Sequence, residues 1–339
     1  MSLAAIVMAS TNAACSDGEG TASAAERTDA GGGSDASTDG IASGDARANN
    51  DASRDAALPD IPPLLLFNLR AGAFPDAGHP DVAVHVPRGF DPSNHPGLVV
   101  FFHGFDNCVK NVVGSVDTEC TPDAGARDAL HLIDQLDAAR VNAILVAVQL
   151  PFDARTGDPG QLAKPGDFHA LLHELFTEHM DALLGRALDV GDFDPIVVGT
   201  HSGGYQAAAL AVSVGQVPQI RELDLYDSLY GDTAIFDAWF RTNEHRFAPQ
   251  RPDGLRWMDV YTQTGGTEPN SRAMEANVAE WLADAGLASS LLDDNTTDTL
   301  EAGAFAHPVV FKLTSLPHGD VPKLYFEIFA RHAGFTPLQ

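Results

Sequence analysis

Apolar and polar positions alternate in two distinct ways along the chain. Leu98–Phe102, in "GLVVFFHGF", is continuously apolar, and "NAILVAVQL" (Asn142–Leu150) and "PIVVG" nearly so. Short apolar runs with no polar face predict strands buried on both sides. "VAVHVP" (Val82–Pro87) predicts an earlier strand, and "RELDLYDSLYG", "LRWMDVYTQT" (Leu255–Thr264) and "HPVVFKLTSLPH" (His307–His318) predict three later ones. Between them lie segments of helical period. Ala126–Arg140 places Leu130, Ile133 and Leu136 on one side, and "DFHALLHELFTEHMDALLGRA" is amphipathic from Asp167. Further helices are predicted from Gly204 onward, over "SRAMEANVAEWLADAG" and over "VPKLYFEIFARHAG". Strands and helices in this alternation predict an α/β fold, with a mostly parallel central sheet and helices on both faces. Residues 60–339 show neither an internal repeat nor a break in composition, so one domain is expected there.

The first 59 residues follow neither pattern. Residues 1–15, "MSLAAIVMASTNAAC", are too short to span a bilayer and read as the apolar part of an export signal. No Lys or Arg precedes Arg27, as a start assigned too far downstream would produce. The ending "TNAAC" before a long polar stretch looks like a bacterial lipoprotein signal, in which Cys15 becomes the lipidated residue that tethers the protein to a membrane. The alternative is an ordinary secretory signal cleaved near Ala14. Residues 16–59 are rich in Ala, Ser, Gly, Asp and Thr and lack any aromatic side chain. They cannot bury enough apolar surface to offset the entropy of ordering and are expected to form a flexible acidic linker.

The formal charge of −27 narrows the partners. Residues 1–60 hold ten acidic and three basic side chains, so most of that charge belongs to the remainder. Such a surface repels nucleic-acid phosphates, and no basic patch opposes it. No C-x-x-C pair, H-E-x-x-H or His/Cys cluster at metal spacing occurs, so neither a metal nor a cofactor is expected. Cys108 and Cys120 share the polar segment "NCVKNVVGSVDTEC". They are either a bridge closing a small ring, which an oxidising compartment permits, or two free thiols.

Candidate chemistry concentrates where strands end. In "GTHSGGY", Ser202 lies directly after a buried strand and before a helix, with Gly203 and Gly204 allowing a tight turn. The pattern approaches G-x-S-x-G, with Thr200 in place of the first glycine. A serine hydroxyl needs a base, and a base of this kind needs an orienting carboxylate. His318, at the exit of "VVFKLTSLP", fits the base; His332, within a helix, reads as structural. Asp227 ends the strand "LDLY" and leads as the carboxylate over Asp224, Asp232 and Asp259, with Glu268 its main competitor. His201, next to Ser202, is expected to point elsewhere. Backbone N–H groups of Phe105 and Gly203 are the candidate oxyanion donors, with His103 a loop histidine satisfied by backbone groups. Phe152, Phe168, Phe236, Trp239 and Phe240 are expected either to rim the site or to fill the loops.

Together, "HGFDN", "GTHSGGY", "YDSLYG" and "SLPHGDVP" resemble the α/β-hydrolase superfamily over about residues 80–335, in particular bacterial exported serine esterases. The resemblance implies an α/β-hydrolase fold, a nucleophile at Ser202, an acid at Asp227, a base at His318 and oxyanion positions at Phe105 and Gly203. It implies acyl transfer from an ester to Ser202 and then to water, on a small-molecule, envelope or extracellular substrate, without cofactor. The same residues would serve an amidase or peptidase, and a noncatalytic exported binding protein could keep the fold.

Overall fold

The long apolar runs become the inner strands of one sheet. A computed structural model describes residues 61–75, 78–121, 125–151, 157–295 and 299–338. The predicted export signal, Cys15, the linker and Phe152 lie outside the described residues. All described residues fall within a single unit, Ala56–Gln339.

The strands are β1 Leu65–Phe67, β2 Val82–His85, β3 Gly97–Phe102, β4 Thr118–Glu119, β5 Ala126–Arg127, β6 Ala143–Val148, β7 Ile196–His201, β8 Ile220–Tyr226, β9 Arg256–Thr262, β10 Leu291–Asp294 and β11 Val309–Thr314. β4 and β5 form a small antiparallel ribbon, and the other nine make one sheet in the order β1-β2-β6-β3-β7-β8-β9-β11-β10. β2 pairs antiparallel with both β1 and β6. From β6 to β10 every pairing is parallel. β3, β6 and β7 are buried at all six of their positions, which is why their sequences show no polar alternation.

The helices are α1 Val109–Val113, α2 Leu132–Ala139, α3 Asp167–Glu174, α4 Asp181–Leu184, α5 Tyr205–Ser213, α6 Thr233–Asn243, α7 Glu268–Asp284 and α8 Val321–His332. They cover both faces of the sheet. On one, Phe168, Leu171, Ala207, Phe236, Phe240 and Val278 bring α3, α5, α6 and α7 onto the strands. On the other, Val112, Leu136, Tyr325, Phe326 and Phe329 do the same for α1, α2 and α8. Strand order, the antiparallel β2 and the tight β7–α5 turn define an α/β-hydrolase fold.

Two helices differ from the sequence expectation. The segment Ala126–Arg140 turns helical only at Leu132. Its first residues pair in the β4–β5 ribbon, and Asn111 and Asp117 bond the backbones of Asp128 and Ala129, so local partners replace the first helical turns. The helix from Asp167 is interrupted by a π-helical turn at Leu175–Met180 between α3 and α4. α6 occupies a stretch expected to be loop, and Phe168, Phe236 and Phe240 are fully buried in the core. They fill the interior and do not rim a site. Among the described residues no helix is long and apolar enough to cross a membrane.

Candidate active site

Parallel pairing carries five strand ends to one edge of the sheet. Phe102 of β3 stands beside Thr200 of β7, His201 beside Tyr226 of β8, Tyr226 beside Val260 of β9, and Thr262 beside Thr314 of β11. The loops that follow therefore bring His103–Phe105, Ser202, Asp227, Thr262–Thr267 and His318 into one neighbourhood.

Ser202 begins the turn between β7 and α5 with φ 53°, the left-handed region that costs an L-residue with a side chain about 1–2 kcal/mol. The β3 loop passes directly over it. A Cβ on Gly104 would lie 2.6 Å from Ser202 Cβ and 3.1 Å from its Oγ, so only glycine permits this approach. The following residue, Phe105, has no protein acceptor for its amide N–H among the described residues. Gly203 lies at the entrance to α5. Both predicted oxyanion donors thus border Ser202.

Thr200 fits because its side chain is used. It is fully buried, and its hydroxyl lies 3.2 Å from Ser228 Oγ, which donates to the Ser202 carbonyl at 2.8 Å. It faces Gly204, where a Cβ would sit 2.7 Å from the Thr200 hydroxyl. The same glycine makes room for the Phe102 carbonyl, which such a Cβ would approach to 2.5 Å.

Asp227 follows β8, also left-handed at φ 49°. Its carboxylate is fully buried and accepts from His318 Nδ1 at 2.6 Å, Thr262 N–H at 3.0 Å, the Thr262 hydroxyl at 2.8 Å and the Thr267 hydroxyl. Burial alone would push its pKa up. The hydrogen bonds from His318, Thr267 and Thr262 outweigh that and hold the carboxyl below its ordinary range. His318 is about one-third exposed, so the imidazole bound to this carboxylate also reaches the surface.

The other acids are placed elsewhere. Asp224 is buried within β8 against Glu222 and the Tyr226 hydroxyl. Asp259 is buried in mid-β9, Asp232 precedes α6, and Glu268 opens α7 opposite Arg272. None of the four bonds His318. His332 stacks on Phe305 with ring centres 4.0 Å apart, in keeping with a structural role.

His103 is held by the expected backbone groups and also by the Gln149 side chain, whose amide nitrogen lies 2.7 Å from its Nε2. Leu150 N–H donates to Nε2 at 2.9 Å, and Nδ1 donates to the Gly104 carbonyl at 2.7 Å. Burial pushes its pKa down to about 4, so the ring is neutral. His201 differs from the expectation that it points away. Its ring stacks on that of His318, centre to centre 4.4 Å, and its Nε2 donates to the His318 carbonyl at 3.2 Å. Burial and the nearby His318 push its pKa down to about 3. Tyr230 meets His318 edge-on and donates its hydroxyl to the Gly265 carbonyl.

Sequence reading also passed over Thr262, Thr267 and Ser228. Its available signal was "TQTGGT" at the end of β9, an unusual concentration of hydroxyls and glycines beside the strand that carries Asp227. Cys108 and Cys120 are joined in a disulfide. Among the described residues no group of three His, Cys, Asp or Glu side chains is placed to hold a metal ion.

No protein-family model matches the chain, and no curated protein matches it. Solved structures do. A mutant of the feruloyl esterase module from Clostridium thermocellum, complexed with sinapinate, is 9% identical, with 82% of this chain and 91% of that one covered at a TM-score of 0.47. An esterase from the planctomycete Thermogutta terrifontis is 13% identical, with 82% and 98% covered at a TM-score of 0.43.

Proposed function

We propose that the protein is a serine hydrolase that cleaves carboxylic esters. The observation that carries this reading is the fully buried Asp227 carboxylate, bonded to His318 Nδ1 at 2.6 Å at the sheet edge where Ser202 sits in a strained turn. With Nδ1 held by Asp227, Nε2 of His318 is the nitrogen left for Ser202. It takes the hydroxyl proton as Oγ attacks the ester carbonyl, and Asp227 stabilises the imidazolium that results. The N–H groups of Phe105 and Gly203 receive the developing oxyanion; one such donor is worth roughly 3 kcal/mol in the transition state. The imidazolium then protonates the departing alcohol, and water releases the acyl group by the same relay in reverse.

Export is the matching proposal for location. The Cys108–Cys120 bond supports an oxidising compartment. Extracellular or envelope acyl compounds are the substrates such a location offers.

The test is covalent labelling by a fluorophosphonate. The folded protein is expected to label at Ser202, and Ser202→Ala to lose both label and ester hydrolysis while keeping its circular dichroism spectrum. A folded wild-type protein that does not label overturns the proposal.

A further inference from the structure

Among the described residues the exposed large apolar side chains are Leu66, Phe105 and Val116, and of these Phe105 borders Ser202. Its side chain is 39% exposed although it lies at the centre of the sheet edge. The part of the ring that stays in water adds nothing to burial, and its place beside Ser202 puts it where a substrate can touch it.

The ring is not loose. It rests on the backbone of Gly203, where a Cβ would come within 2.0 Å of it. The loop beneath it is tied on every side. Arg127 pairs with Asp106 at 3.0 Å, and Asn107 Oδ1 accepts from Cys108 N–H and Asn111 Nδ2, each at 2.9 Å. The disulfide to Cys120 closes the adjoining segment, and His103 anchors the start of the loop. One face of the ring is therefore fixed against the turn that carries the nucleophile, while part of the ring stays open to solvent.

We infer that the Phe105 ring is a preformed platform for the acyl group of the substrate, selecting uncharged esters whose acyl part is flat and apolar. This inference rests on the proposed hydrolase reading. The same residue would supply the oxyanion donor through its backbone and the acyl contact through its side chain, so a carbonyl seated on the N–H has its substituent within reach of the ring. A flat aromatic acyl group gains an offset-stacked or edge contact there that a short aliphatic chain does not. The charge of −27 disfavours a carboxylate on the substrate.

The experiment compares ethyl benzoate, ethyl butyrate and monoethyl terephthalate with the full chain and its variants Phe105→Ala and Phe105→Tyr. The wild type is expected to prefer benzoate in kcat/KM and to turn over the terephthalate monoester more slowly than benzoate. Phe105→Ala is expected to lower the benzoate-to-butyrate ratio about tenfold, whatever loss the two esters share, and Phe105→Tyr to keep the ratio. A wild type without preference for benzoate, an unchanged ratio in Phe105→Ala, or faster turnover of the terephthalate monoester overturns the inference. Fluorophosphonate labelling of the same wild-type sample separates the two failures. A labelled enzyme without the ratio change sinks the platform alone, and an unlabelled one sinks the hydrolase reading.

Discussion

Asp227, just past β8, and Asp259, within the adjacent β9, are both fully buried, yet they are opposites chemically. Asp227, just past the end of β8, collects a histidine, two threonine hydroxyls and a backbone N–H, and its pKa is held low. Asp259, in the middle of β9, has the Ser271 hydroxyl beside it but forms no hydrogen bond, and burial pushes its pKa up to about 8. Mid-strand, the backbone groups are consumed by the sheet and the side chain meets a packed helix. At a strand end, the neighbouring loop turns back and offers free N–H and O–H groups. Burial therefore does not make a carboxylate useful to catalysis; the donors around it do.

The largest test of this contrast is Asp227→Asn. The amide keeps the shape and loses the charge, so kcat is expected to fall about 10⁴-fold. Steady-state hydrolysis measures it, and near-normal activity would break the assignment of Asp227 as the orienting acid.

Asp259→Asn tests the other side and reads stability. The native Asp259 keeps a proton that the unfolded chain, with its ordinary pKa of 3.8, gives up. Its contribution therefore weakens stability as pH rises from about 4 to about 8, by on the order of 1.4 kcal/mol per unit. The Asn variant is expected to lose this decline and to keep its kcat. Asp227 carries the opposite sign: its stabilisation is present above about pH 4 and is lost as pH falls through its lowered native pKa. Denaturant titrations across pH, run on both variants, decide whether the two acids diverge. Parallel profiles would erase the contrast.

The smallest effect is expected from Thr262→Val or Thr267→Val. Each removes one hydroxyl donor from Asp227 and lifts its pKa. The acid-side loss of stability, which begins near the unfolded pKa of about 4 in either variant, then ends at higher pH and is smaller in total, and kcat/KM falls about tenfold. An unmoved acid profile would mean that the remaining donors and His318 set the charge without that threonine.

The sequence made some of this legible and hid the rest for physical reasons. Strands buried on both faces print themselves as apolar runs, so β3, β6 and β7 could be read directly, and Ser202, Asp227 and His318 could be placed at strand exits. Short edge strands leave no such print; β1 and β10 have three and four residues and are only partly buried. Ile235, Phe236, Trp239 and Phe240 have helical spacing, but their aromatic character also suits a loop lining. The donors to Asp227 depend on which strands lie side by side, and no local pattern states that β9 follows β8 in space. His201 was hidden in the same way. Its contact with His318 is made by a loop that returns from 117 residues further along the chain.

The left-handed backbone at Ser202 has an evolutionary consequence. Glycine at Ser202 would relieve conformational strain, so random drift that favours a steadier fold runs against the side chain proposed as nucleophile. Were selection for turnover to lapse, nothing in the backbone would favour keeping a serine there, and glycine in its place would leave a sounder scaffold with an inert surface. A serine standing where the backbone favours glycine is the mark that use leaves on a protein.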